Sequence, residues 1–247
     1  MLNILVTGIS GRMGKAVRQA VEENPDTRLA ATHDAGQELG PALEKADIAI
    51  DFSFHGFTKE LLAESIRRRV PLVIGTTGHT AEERRAIDEA AKELPIVFAA
   101  NYSAGVNTLF WLTRHASRIL GDSFDIEIVE MHHRHKIDAP SGTARRLAEE
   151  LCKTRGYSAD ADVACGRKGL VGARKQREIG MHSMRGGDVV GDHTVVFAAD
   201  GERVELTHRA SSRMTFASGA VRAALWLQGK GTGLYDMEDV LGLREQS

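Results

Sequence analysis

Two cysteines in 247 residues, Cys152 and Cys165, are too few and too far apart for a disulfide framework or a CxxC site. They read as free thiols in a reducing cytoplasm. Aromatic residues make up only 5%. No segment reaches the roughly 18 consecutive apolar residues that span a bilayer. Neither sign of charge dominates: 32 Lys+Arg stand against 34 Asp+Glu, for a net −2 and a pI near 6.6. Such a chain has no basic field to hold a polyphosphate backbone, so nucleic acid is not expected as a partner. Met1–Gly8 lacks a basic leader and reads as a buried strand rather than a secretory segment.

What is present is ordinary apolar content and an excess of glycine. Hydrophobic residues are 42% and charged residues 27%, the balance of a globular protein of one or two domains at roughly 150 residues each. Glycine contributes 25 residues, about a tenth of the chain against a usual 7%. Glycine at that level points to close backbone approaches.

Strand and helix patterns alternate through the first hundred residues. Leu2–Thr7 is a continuous apolar run, and Met13, Val17 and Val21 recur at helical spacing. Strands are expected at 28–32, 47–52, 71–74 and 95–99, and a helix at 57–69. Thr80 with Glu83 forms a capping box that opens another helix, to about Glu93. Strict alternation predicts an α/β fold, a doubly wound parallel sheet with helices on both faces. Beyond Asn101 the pattern changes. A helix at 106–120, a strand with one wet face at 124–129, and a helix capped by Ser141 come first. Strands at 189–199 and 203–208 then flank an Asp200-Gly201 turn. These predict a second, α+β domain with an open, largely antiparallel sheet and helices on one face. Helix 214–227 follows; its pattern alone does not assign it to either domain, although a chain that crosses into a second domain often crosses back. Basic residues cluster in Gly166–Arg177, either as a solvated loop or as one that closes over an acidic small molecule.

Between the first strand and helix stands Gly8-Ile-Ser-Gly11-Arg-Met-Gly14. In a dinucleotide loop the first glycine permits the tight turn, the second admits the pyrophosphate, and the third lets helix and strand pack closely. The spacing is GxxGxxG rather than GxGxxG, so a structural turn stays open as the other reading. Asp34 follows Gly14 by 20 residues, where an acid accepts hydrogen bonds from a ribose. Gly75-Thr76-Thr77-Gly78 and Ala99-Ala100-Asn101-Tyr102 also follow strands, with room for a nicotinamide ring.

Glu130-Met-His132-His133-Arg134-His135-Lys136-Ile-Asp138-Ala-Pro-Ser141-Gly142-Thr143 is the most informative stretch. A metal site lacks HxxxH spacing or a cysteine ligand, and none is expected. A surface or interface cluster is a second reading. In the third, His132 donates a proton near neutrality, Lys136 adds positive charge, and the helix start at Ser141–Thr143 holds a carboxylate.

The run from His132 to Ala144 resembles the signature of the 4-hydroxy-tetrahydrodipicolinate reductase family, historically the dihydrodipicolinate reductases. The resemblance extends over nearly the whole chain, through Gly8–Gly14, Gly75–Gly78, Ala99–Ser103 and Thr207–Ala220. It implies a Rossmann-like domain from residues 1–103 and 214–247, and a substrate-binding, oligomer-building domain from 104–213. Domain closure about hinges near Ser103 and Arg213 is expected with it. It further implies NADH- or NADPH-dependent reduction of a cyclic imine dicarboxylate in lysine and diaminopimelate biosynthesis, by a cytoplasmic homotetramer. Val189, Val190, Val195, Val196 and Phe197 are the apolar strand residues expected to build that assembly. His132 would be the proton donor and Lys136 the second catalytic residue. His133, Ser141, Gly142 and Thr143 would hold substrate carboxylates. Gly8, Ile9, Ser10, Gly11, Arg12, Met13, Asp34, Gly75, Thr76, Thr77, Ala99, Ala100, Asn101 and Tyr102 would contact the cofactor. Because Asp34 is followed by Ala35 and not by a cation, NADH is expected to be preferred and NADPH usable. Arg12, and more weakly His33, are the candidates to meet a 2′-phosphate. Two rivals remain: another nicotinamide-dependent oxidoreductase of a small carboxylate, and a nonenzymatic NAD(H)-sensing module. A sensor would have no use for His132 and Lys136.

Overall fold

The computed structural model describes residues 1–244; the last three residues of the expected segment 214–247 lie outside those described. In chain order, β1 (Leu2–Thr7), α1 (Arg12–Glu23), β2 (Thr27–His33), α2 (Gly40–Leu43), β3 (Ile48–Asp51), α3 (Thr58–Arg68), β4 (Leu72–Ile74), α4 (Ala81–Ala90) and β5 (Pro95–Phe98) come first. Next come α5 (Ala104–Leu120), β6 (Asp125–His132), α6 (Gly142–Arg155), α7 (Ala159–Asp162), β7 (Val163–Cys165), β8 (Ile179–Arg185), β9 (Gly191–Ala199) and β10 (Glu202–Ala210). The last are α8 (Met214–Leu227), β11 (Gly233–Tyr235) and α9 (Met237–Leu241). The chain divides into two compact units: Met1–Ala104 with the stretch from Arg213 onward, and Gly105–Ser212.

In the first unit the strand order is β11-β5-β4-β3-β1-β2, and every pairing is parallel. Its strands are short apolar runs because both faces are covered. Ile4, Val6, Ile50, Val73 and Val97 pack with residues of α1, α8 and α9. Leu5, Ala49, Leu72, Ile74 and Ile96 pack with residues of α3 and α4 on the other face. The chain leaves β1 for β2 on one side and later reaches β3 on the other. That reversal opens a crevice at the carboxyl ends of β1 and β3, where such sheets bind ligands.

The second sheet has the order β10-β9-β6-β8-β7. β10–β9 and β9–β6 are antiparallel, while β6–β8 and β8–β7 are parallel. The sheet is therefore mixed, not largely antiparallel. The hairpin at Asp200-Gly201 forms, with Gly201 at φ +85°. The helical crossover through α6 brings the chain back parallel to β6, and that adds β7 and β8. One face of this sheet forms a core with α5 and α6. Its rows run Phe197–Ile126–Ile179, then Val195–Ile128–Met181, then His193–Glu130–Ser183. Along β6, inward-facing residues alternate with half-buried ones. Val195 and Phe197 point into this core, so of the apolar residues expected at an interface those two are already covered.

Candidate active site

The glycine loop is built by contacts no larger residue permits. Gly8 has φ +72°, and a Cβ there would lie 2.5 Å from the Phe52 carbonyl oxygen. A Cβ on Gly14 would lie 2.1 Å from the Gly8 carbonyl oxygen, so α1 starts almost in contact with the end of β1. Gly8 donates to the His33 carbonyl at 2.9 Å. Gly11, Arg12 and Ser10 are exposed on the loop, with Ile9 and Met13 half-buried beside them. Asp34 closes the loop from β2: its carboxylate accepts from the Ser10 amide at 2.8 Å and the Ala35 amide at 3.1 Å. Hydrogen bonds from Ser10, then Ala35, hold that carboxyl below its usual range. His33, by contrast, is buried, lies 3.0 Å from the Gln37 carbonyl through Nε2, and stacks on Phe57. That packing engages its Nε2 within the protein.

A feature that sequence reasoning missed lies beneath these loops. Asp51, fully buried at the end of β3, accepts from the hydroxyls of Thr7 at 2.5 Å, Ser53 at 2.5 Å and Thr76 at 2.6 Å. Thr76 Oγ1 in turn accepts from the Ser53 amide at 2.9 Å. One carboxylate thus fastens the segments after β1, β3 and β4. Thr76 is a fastener rather than an open contact, while Thr77 is exposed. Gly75 is buried against the Phe52 ring, which a Cβ would meet at 2.3 Å. Ala99 is half-buried, Ala100 exposed, and Asn101 Oδ1 accepts from the Ser103 amide at 2.9 Å. Tyr102 turns its side chain inward. Its ring is in the core and its hydroxyl lies 3.0 Å from the carbonyls of both Ile74 and Val97. Burial pushes that phenol up, and only its backbone is left to face a ligand.

The second unit assembles the histidine stretch at the end of β6. The loop after β6 is pinned to the β8–β9 connection: His133 donates to the Val189 carbonyl at 2.7 Å, and Gly186 to that of His132 at 2.9 Å. His132 Nδ1 lies 2.6 Å from Glu130 Oε2. Lys136 Nζ donates to Asp138 at 2.7 Å, and that bond holds the Asp138 carboxyl low. Ser141 caps α6, accepting from the Ala144 amide at 3.2 Å. Its own amide donates to Glu130 at 3.1 Å, and its hydroxyl meets His193 Nε2 at 3.1 Å. Ser141 is therefore engaged within the protein, whereas exposed Gly142 and half-buried Thr143 form the first turn of a 14-residue helix. Amides there carry the positive end of the helix dipole. Burial drives the His193 imidazole down to about 3, with the charge of His132 adding to it, so His193 stays neutral beside the site. Among the described residues no group of three or more His, Cys, Asp or Glu is placed to hold a metal ion.

Residues 2–102 match the family model described as dihydrodipicolinate reductase, N-terminus, and residues 105–241 the one described as its C-terminus. The chain belongs to the dihydrodipicolinate reductase family. The C-terminal model of this family runs on through α8 and β11, which lie in the first unit here. A 4-hydroxy-tetrahydrodipicolinate reductase of Akkermansia muciniphila is 69% identical over 245 residues, 99% of this chain and 100% of its own length. Among solved structures, a dipicolinate-bound dihydrodipicolinate reductase from Paenisporosarcina sp. TG-14 matches with a TM-score of 0.78 at 25% identity. That match covers 98% of this chain and 100% of the other. A probable dehydrogenase from Thermotoga maritima shares the fold, with a TM-score of 0.62 at 12% identity over 98% and 93% of the two chains. Dihydrodipicolinate reductase membership covers both glycine loop and histidine stretch, so neither needs a separate explanation.

Proposed function

We propose that this chain reduces 4-hydroxy-tetrahydrodipicolinate to tetrahydrodipicolinate in diaminopimelate and lysine biosynthesis, with a reduced nicotinamide dinucleotide. The observation that carries the reading is the joint placement of His132 and the Ser141–Thr143 helix start on one carboxylate, Glu130. Proton donor and anion cradle are thereby set in one frame. The first unit fits the dinucleotide: Gly8 and Gly14 let the loop and the start of α1 pack against the strand ends as only a missing Cβ permits, and Asp34 offers an acceptor beside the loop. Gly8, Ile9, Ser10, Gly11, Arg12 and Met13 would hold its phosphates. Gly75, Thr77, Ala99, Ala100, Asn101 and the Tyr102 backbone would hold its nicotinamide end. When bound, it supplies a hydride to carbon 4 of the dehydrated ring. Electron density moves toward the ring nitrogen, and His132 then delivers a proton to the neighbouring carbon of the resulting enamine. Lys136 offsets the carboxylate charge, His133 contacts a carboxylate, and the amides of Gly142 and Thr143 donate to one. An NAD(H) sensor would require none of this second set.

The preference for NADH rests on Asp34, whose ionised carboxylate accepts from ribose hydroxyls but repels a 2′-phosphate, and on Ala35, which supplies no cation. With His33 engaged, exposed Arg12 is the residue that serves NADPH. A homotetramer is supported by the outer face of the second sheet. There Val129, Met131 and Val196 are half-buried, and Met184 is 48% exposed. The free thiols Cys152 and Cys165 suit a reducing cytoplasm. The test is oxidation of NADH with and without freshly generated imine, with sedimentation in parallel. Substrate-dependent oxidation by a tetramer is expected. Oxidation indifferent to the imine removes the reductase reading, and a monomer at micromolar concentration removes the assembly.

A further inference from the structure

Glu130 has no solvent exposure, yet no apolar role. It faces inward on β6, one row above Ile128, and both its oxygens are fully engaged. Arg185 clamps them from β8 at 2.8 Å each, His132 Nδ1 lies 2.6 Å from one, and the Ser141 amide donates to the other at 3.1 Å. Arg185 also donates to the Asp138 carbonyl at 2.7 Å, and Asp138 pairs with Lys136. Burial alone would raise the Glu130 carboxyl, but hydrogen bonds from Arg185 and His132 outweigh it and hold the group at about 2. An ionised carboxylate only accepts. The hydrogen it shares with His132 therefore sits on Nδ1. His132 Nε2 points the other way, over Gly191, where a Cβ would come within 3.0 Å of it.

We propose that Glu130 is a positioning residue, which fixes His132 in the tautomer protonated on Nδ1 and so keeps Nε2 as the nitrogen that gains and gives the working proton. The inference rests on the proposed reductase function. The same carboxylate sets the angle between that nitrogen and the Gly142–Thr143 amides, because Ser141 hangs from its second oxygen. Charged and titratable groups around His132 come from four directions. Arg185 lies on β8. His193, on β9, packs edge-to-face at 5.2 Å, with His208 on β10 behind it. Lys136, His133 and Asp138 stand on the loop, and Glu130 on β6 itself. Of these, Glu130 is the carboxylate bonded to the His132 ring.

Two measurements test this. Long-range proton–nitrogen correlation on histidine-labelled wild-type protein, at a pH where His132 is neutral, is expected to give Nδ1–H with a bare Nε2. An Nε2–H tautomer overturns the proposal, and this readout does not depend on which imine the protein reduces. Glu130→Gln is expected to lower kcat about 10²-fold or more, as loss of the orienting carboxylate does in other histidine-based sites. The KM for NADH should stay within about twofold, since no dinucleotide contact is assigned near Glu130. Glu130→Asp, which keeps the charge, should recover part of kcat. Wild-type kcat in Glu130→Gln overturns the proposal. So does a variant whose loss lies wholly in NADH binding. A failure of wild-type turnover would instead count against the proposed substrate.

Discussion

Asp51 and Glu130 are both fully buried carboxylates near the carboxyl end of a strand, one in each unit, and they are held in opposite ways. Asp51 takes three hydroxyl donors from three separate loop segments. Glu130 takes a guanidinium, an imidazole, one amide and the Ser183 side chain. Hydroxyls are short and neutral, so their gathering fixes where loops lie. A guanidinium is charged and an imidazole can carry its proton on either nitrogen, so their gathering fixes where protons lie. The contrast fits the division of labour proposed above, in which one unit shapes a surface for a dinucleotide and the other prepares acid–base chemistry.

The comparison breaks hardest at His132. His132→Gln should lower kcat by about 10²–10⁴-fold, the usual worth of a positioned general acid, with the circular dichroism spectrum unchanged. Turnover near wild type would take His132 out of the reaction and leave Glu130 a purely structural ion. Asp51→Ala probes the other side. Losing about 1–1.5 kcal/mol of loop order should raise the KM for NADH roughly tenfold and leave kcat nearly alone. If kcat falls instead and KM holds, the two carboxylates do not divide the work in this way.

A pH series sharpens the second unit alone. His193 is driven to about 3 from the usual 6.5. The unfolded chain therefore binds a proton below pH 6.5 that the folded chain refuses until about 3. Stability is complete above 6.5 and falls as pH drops through that window. Glu130 has the same sign in a lower window, from 4.5 down to about 2. Urea midpoints for wild type and His193→Gln at pH 7 and pH 5 should converge at the lower pH, because only the wild type loses the histidine contribution. Parallel curves would mean that His193 titrates in the folded protein much as it does when unfolded. The smallest expected effect is at the cofactor edge. Ala35→Arg, an exposed charge, should improve kcat/KM for NADPH by about 1.5- to 5-fold, and no change would place the ribose elsewhere.

Much of this is legible in the sequence. Leu2–Thr7 had to be a strand covered on both faces because nothing polar interrupts its center, and Thr80 with Glu83 forms the capping box its spacing required. The glycine loop announced its own close contacts. β8 was illegible for a local reason. Gly180 sits beneath the Glu127 carboxylate, which a Cβ would meet at 1.7 Å, and Ser183 and Arg185 occupy the polar end of the sheet. The strand therefore shows no apolar period, and without it the sheet reads as largely antiparallel. Site residues divide likewise. His132 and Lys136 lie in one contiguous motif. Arg185 and His193 reach Glu130 and Ser141 across more than fifty residues of chain, a proximity that spacing does not encode. Glu130 did leave a signal: the alternation Ile126, Ile128, Glu130, His132 puts an acid on the inward face.

That alternation makes one strand both oil and ion. Within a single row spacing, the inner face of β6 passes from Ile128 among valine and methionine to Glu130 among charged and polar partners. A slip of one residue would turn the whole set outward. A slip of two would bury the carboxylate among aliphatic side chains, away from Arg185, at the cost of an uncompensated ion. Neither misaligned molecule could seat the Glu130–His132 pair against Arg185 of β8. Turnover per molecule after refolding is thus a proofreading signal: the fraction of chains that regain activity is the fraction whose central strand has found its correct neighbours.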